Sequence, residues 1–201
     1  MREILLATKN IGKLNEFVSL IGDYTWKVFS LRDFPHLPQV EETGTTFQDN
    51  ARLKALAAAQ ETGLLALADD SGLEVDSLGG LPGVYSARFA GEERNDQKNN
   101  EKLLVMLKNV PASSRRARFR CTIAVARPDG QVAFCEGVCE GLIAMEPAGT
   151  NGFGYDPLFF LPEYGKTMAQ LDMEEKNLIS HRGKAFKASL PLLHKMLSGP
   201  V

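Results

Sequence analysis

The chain has 201 residues, a formal net charge of −2, and 44% hydrophobic and 24% charged residues. That is enough chain to bury a core without disulfide or metal staples, as one large domain or two small lobes. The charge balance excludes a protein that coats nucleic acid, which would be basic.

Glu3 to Ala7 reads as a short apolar strand and not as a signal peptide. Asn10 is placed to cap a helix over Ile11 to Ile21, with Leu14, Phe17, Val18 and Ile21 at helical spacing. Lys27 to Ser30 is a second short strand, and Pro35 and Pro38 break the segment from Arg32 to Thr45. Thr46 opens a long helix rich in Ala and Leu, and Gly63 ends it near Thr62. Leu64 to Ala68 then forms a buried strand that ends at Asp69-Asp70-Ser71-Gly72.

Leu73 to Ser77 is followed by a turn cluster at Gly79-Gly80-Leu81-Pro82-Gly83. Asn95 to Lys108 is helical. Arg116 to Arg127 alternates as a half-exposed strand, and the basic stripe from Arg115 to Arg120 reads as one solvated face. Asp129-Gly130 turns into a strand from Val132 to Cys139. Glu146 to Gly165 is dense in Gly and Pro, and a last helix spans Gly183 to Leu197, kinked by Pro191. Strands that alternate with helices early and a hairpin later predict an α/β fold with a mixed sheet. No apolar run approaches the roughly 20 residues of a membrane span. Cys121, Cys135 and Cys139 lack CxxC or zinc-ligand spacing, so reduced thiols and a cytoplasmic location are expected.

Several segments are suited to chemistry. Asp69 and Asp70 are costly to bury unless paired or bound to a metal, and strand alternation points them in opposite directions. They read either as a Mg²⁺ and general-base site at a strand end or as a turn. Thr8-Lys9-Asn10-Ile11-Gly12-Lys13 joins the first strand to the first helix. A helix N-terminus suits phosphate, and a capped helix with a surface lysine is the plainer alternative. It is not a P-loop, because Ala7 and Leu14 stand where a glycine and a hydroxyl residue are required.

Glu41 and Glu42 either favour the dipole of the following helix or give Mg²⁺ an oxygen ligand, and Lys54 is either within reach of a triphosphate or simply solvated. In Gly152-Phe153-Gly154-Tyr155-Asp156, the glycines let backbone approach a ligand. Phe153 and Tyr155 are suited to stack on a base, or to serve as core aromatics beside a turn. Lys176, His181 and Arg182 are all donors; His181 beside Arg182 reads equally as a helix-start surface pair.

Taken together and in order, Thr8-x-Asn10-x-x-Lys13, Glu41-Glu42-Thr43-Gly44, Ala68-Asp69-Asp70-Ser71-Gly72, Gly79-Gly80-x-Pro82-Gly83-x-Tyr85-Ser86-Ala87-Arg88, Gly152-Phe153-Gly154-Tyr155-Asp156 and Ser180-His181-Arg182 resemble the inosine triphosphate pyrophosphatase family. The resemblance covers the chain from Ile4 to the last helix. It implies an elongated α/β fold over residues 1–201, with a central mixed twisted sheet, two lobes sharing it and a nucleotide-binding cleft between them. It also implies a homodimer, a requirement for Mg²⁺, and hydrolysis of ITP, dITP and XTP to the monophosphate and pyrophosphate. By that resemblance Thr8 to Lys13 bind phosphate, Asp70 is the catalytic carboxylate and Ser71 an adjoining substrate contact. Phe153, Gly154, Tyr155 and Asp156 form the base site with Lys176, His181 and Arg182. One of Glu41 and Glu42 is the second metal carboxylate; Glu42, nearer the helix start, is favoured. The expected chemistry has Asp70, or Asp69 beside it, accept a proton from water, while Lys13 and Lys54 neutralise the pyrophosphate. No nucleic-acid or membrane partner is expected.

Overall fold

A computed structural model describes residues 2–21 and 26–198. Seven strands form one sheet: β1 (Arg2–Leu6), β2 (Trp26–Ser30), β3 (Leu65–Val75), β4 (Arg116–Ala126), β5 (Val132–Ile143), β6 (Phe159–Leu161) and β7 (Lys166–Thr167), in the order β2-β1-β3-β4-β5-β6-β7. β1 runs parallel to β2 and to β3, whereas β5, β6 and β7 pair antiparallel. The sheet is therefore mixed, as expected. The helices are α1 (Ile11–Ile21), α2 (Phe47–Thr62), α3 (Asp96–Met106), α4 (Met173–Ile179) and α5 (His181–Ser198).

The chain divides into two compact units. The first comprises residues 1–70, 121–137 and 182–201, and the second comprises 71–120 and 138–181. In the first unit, strand alternation sorts side chains onto two faces. Ile4, Leu6, Leu65, Leu67, Cys121 and Ile123 pack with Phe17 of α1 and Phe186 of α5. Leu5, Ala66, Ala68, Ala124 and Ala126 pack with Ala51, Ala55, Ala58 and Ala59 of α2. Small residues on both partners let α2 lie close to the sheet.

Sequence signals set the helix ends. Asn10 Oδ1 accepts from the Lys13 amide at 3.0 Å, and Thr46 Oγ1 accepts from the Asp49 amide at 3.1 Å. Gly63 closes α2 at φ 71°, its amide donating to the Ala59 carbonyl, a left-handed cap that glycine reaches without strain. Val18 departs from its expected place: it is 54% exposed, while Phe17 and Ile21 carry the buried face.

The second unit has its own core, with Leu73, Leu103, Phe119, Tyr155, Leu158 and Phe159 among its buried members. Four expectations are corrected here. β3 does not stop at Asp69 but continues to Val75, because both acids meet cations within the strand. β5 runs on to Ile143, where it pairs with β6. The Gly- and Pro-rich stretch contains β6, and α4 follows, set by the capping box of Asp172 and Glu175. Arg115 is not part of a solvated face: it is 2% exposed and donates to the carbonyls of Leu107, Val110 and Ala144. Arg118 and Arg120 face acids, with Glu74 shared between them. Pro191 lies inside α5, which begins at His181. The three cysteines are free thiols. Among the described residues no helix is long and apolar enough to cross a membrane.

Candidate active site

The neighbouring acids of β3 point to opposite sides of the sheet and meet different partners. Asp69 continues the Leu65, Leu67 face, where Lys13 Nζ lies 2.7 Å away and Arg182 Nε 3.6 Å away. Arg182 also pairs with buried Glu16 of α1. Asp70 continues the Ala66, Ala68 face. There Asn50 Nδ2 donates to its Oδ2 at 3.1 Å and Lys54 Nζ to its Oδ1 at 3.1 Å. Asn50 and Lys54 are one turn apart on α2, so one helix face serves both oxygens. Lys54 Nζ also donates to Glu42 Oε1 at 2.7 Å. Glu42 is thus the member of the acidic pair joined to Asp70 through a shared ammonium, while Glu41 is exposed.

These surroundings push the two carboxyls in opposite directions. Burial works to raise Asp69, but Lys13, Arg182 and Lys54 prevail and hold it at about 2. Asp70 lies above the ordinary value because burial, reinforced by Glu42 and Asp69, outweighs the pull of Lys54 and Lys13. Burial works against the charge of Lys54, yet Asp70, Asp69 and Glu42 keep it protonated. Burial, with Asp69 nearby, pushes the Cys121 thiol well up and keeps it neutral. The two acids are thus driven apart: Asp69 stays a charged counter-ion, and Asp70 is the one biased toward protonation.

The donor set also fits Mg²⁺. That ion takes one or two carboxylates and fills its shell with waters and substrate phosphates, and Glu42 and Asp70 supply two. Among the described residues no group of three or more His, Cys, Asp or Glu is placed to hold a metal alone.

At the N-terminus of α1, Thr8 Oγ1 accepts from the Asn10 amide at 3.2 Å and Asn10 Oδ1 caps the helix. Both bonds use side-chain acceptors. Lys9, Asn10 and Ile11 are exposed, and Gly12 and Lys13 half-buried.

In the second unit, Asp156 and Lys176 form a buried pair, Nζ to Oδ2 at 2.6 Å, and the Phe153 amide donates to the same oxygen at 2.9 Å. Lys176 Nζ sits 5.1 Å from the centre of the half-buried Phe153 ring. Two side chains of α3 grip the next peptide: Asp96 Oδ2 accepts from the Gly154 amide and Asn100 Nδ2 donates to its carbonyl. His181 is stacked on Phe119 with ring centres 4.7 Å apart. Ser71 is half-buried on β3. Of its two readings, Tyr155 takes that of a core aromatic. It is 4% exposed in the core, and its hydroxyl donates to the Ser86 carbonyl at 2.9 Å. Arg182 pairs with Glu16 and Asp69.

Gly152 is required by position. It sits at φ 75°, and a Cβ there would lie 2.1 Å from Asp156 Oδ2. Gly152→Ala is expected to lower stability by about 1–3 kcal/mol, combining a strained φ with displacement of the Asp156 carboxylate. Urea unfolding measures this; unchanged stability would contradict it.

A family model described as the Ham1 family matches residues 4–192. The chain belongs to the Ham1 family. Among its relatives, the dITP/XTP pyrophosphatase of Desulforamulus reducens is 57% identical over 96% of each chain. That of Halalkalibacterium halodurans is 52% identical over 93% of this chain and 96% of its own. Among solved structures, the Staphylococcus aureus Ham1 protein superposes with a TM-score of 0.86 at 45% identity, covering 97% of this chain and all of its own. A HAM1 protein from Coxiella burnetii gives 0.88 at the same identity and coverage. Within this Ham1-family chain, Asn50 and Glu16 carry no motif that singles them out, although both are central to the acid–cation clusters. The only sequence signal for either is a polar residue four positions before Lys54, or three after Lys13, on a helix face that is otherwise buried.

Proposed function

We propose that the protein is a nucleoside-triphosphate pyrophosphohydrolase that converts ITP, dITP and XTP to their monophosphates and pyrophosphate, with Mg²⁺ held by Glu42 and Asp70. The observation that carries this is the split of the β3 acids. Asp70, raised by burial and joined through Lys54 to Glu42, forms a carboxylate pair for metal and water. Asp69 instead neutralises Lys13 and Arg182. When bound, the metal supplies charge neutralisation at phosphate oxygens and a water of lowered pKa. Asp70 is placed to accept a proton from the attacking water. Lys13 and Lys54 stabilise charge that builds on the leaving pyrophosphate, and the Thr8 hydroxyl, Asn10 Nδ2 and the first amides of α1 offer donors to phosphate. The names of the relatives support the substrate class.

The base is read in the second unit by Phe153, Asp156, Lys176 and His181. A 6-oxo purine accepts hydrogen bonds there, whereas the 6-amino group of adenine would leave buried donors unmatched, at about 1–3 kcal/mol for each one. A nucleotide panel with pyrophosphate detection tests the reading. ITP, dITP and XTP should be turned over at least about fivefold faster than ATP, the least that one such contact predicts. Equal rates on ATP, or a preference for methylated pyrimidine triphosphates, would contradict it.

A further inference from the structure

We infer that Asn50 is a positioning residue for the hydrolysis proposed above, its amide holding Asp70 in register with the loop that carries Glu42. The inference rests on that functional reading and extends it. Asn50 is 2% exposed, and both ends of its amide are used: Nδ2 donates to Asp70 Oδ2 at 3.1 Å and Oδ1 accepts from the Gly44 amide at 2.8 Å. Gly44 lies two residues after Glu42, so a single side chain ties one carboxylate of the pair to the backbone beside the other. Lys54 takes the remaining Asp70 oxygen and Glu42 itself. Asp70 is therefore fixed through both oxygens, which removes its freedom to rotate about the carboxylate axis.

The loop is pressed against α2 at this point. A Cβ on Gly44 would come 2.5 Å from Asp49 Cβ and 2.7 Å from Asn50 Oδ1. Only a side chain with a donor and an acceptor on one planar group serves both partners at once. Partners that orient metal-binding carboxylates commonly change metal affinity or activity by about 10–100-fold when removed.

The test compares Asn50→Ala and Gly44→Ala with the unmodified chain. Gly44→Ala displaces the Asn50 amide without deleting a polar group, and it decides the matter if Asn50→Ala fails to fold. Mn²⁺ binding is followed by electron paramagnetic resonance without nucleotide, and kcat and KM are measured for ITP with Mg²⁺. Both variants should bind Mn²⁺ about 10–100-fold more weakly and lose kcat in the same range, with KM for ITP little changed because Lys13 and the α1 N-terminus are untouched. Folded variants with unchanged Mn²⁺ affinity and kcat would overturn the inference, even if their stability fell. An unmodified chain that binds no Mn²⁺ would also overturn it. If the unmodified chain released no pyrophosphate from ITP, the functional reading itself would fail, an outcome distinct from a fully active Asn50→Ala.

Discussion

Asp70→Asn should lower kcat for ITP hydrolysis by about 10²–10⁴-fold, the range a positioned proton acceptor contributes, and leave the protein folded. Asparagine matches the carboxylate in shape and keeps an oxygen for Lys54 or Asn50, so packing on the α2 face is retained. Its amide cannot take a proton from water and is a poor partner for a divalent cation. Stability should change little, because relief of a carboxylate that burial disfavours in its charged form offsets the one donor, on Lys54 or Asn50, that then faces an amide NH2. Thermal unfolding and steady-state kinetics on the same preparation check both parts. Near-normal turnover would remove Asp70 from the chemistry.

The neighbouring substitution should behave in the opposite way. Asp69→Asn removes the counter-ion that half-buried Lys13 shares with buried Arg182, which keeps Glu16, and should lower stability by about 2 kcal/mol at neutral pH. The pH dependence has a definite sign. Asp69 has a folded-state pKa of about 2 against an ordinary value of 3.8. An acid depressed by folding stabilises the fold above its unfolded pKa, and that contribution disappears as pH falls through the folded value. Here it amounts to about 2 kcal/mol, lost between about pH 4 and pH 2. The stability gap between the unmodified chain and Asp69→Asn should therefore be widest near neutrality and narrow across that window in urea titrations. A gap independent of pH would contradict the assignment of Asp69 as counter-ion to Lys13 and Arg182.

The contrast between these two residues shows how far the sequence could be read. Period-two alternation in Leu65 to Ala68 already separates Asp69 from Asp70, and the capping residues Asn10, Thr46 and Gly63 mark their helix ends, because these signals are local. The partners of each acid were less accessible. Lys13 and Lys54 stand out as charges near motifs, but Asn50 and Glu16 acquire their roles only when helices pack on the sheet. Arg182 is a similar case. Its place in a donor-rich motif suggests base recognition, while its partners Glu16 and Asp69 show only in the fold. Tyr155 looks like a stacking platform beside Phe153, yet its hydroxyl has a carbonyl partner at Ser86, a contact between residues far apart in sequence. β6 and α4 were hidden for another reason: elements of three and seven residues are too short to show a period, and glycines and prolines crowd the sequence around β6.

Identification of the products formed from ITP, with and without Mg²⁺, tests the central claim most directly. Inosine monophosphate and pyrophosphate in equal amounts, formed only with the metal and almost abolished in Asp70→Asn, are the expected result. Release of orthophosphate, or pyrophosphate formation that neither the metal nor Asp70 affects, would contradict the account.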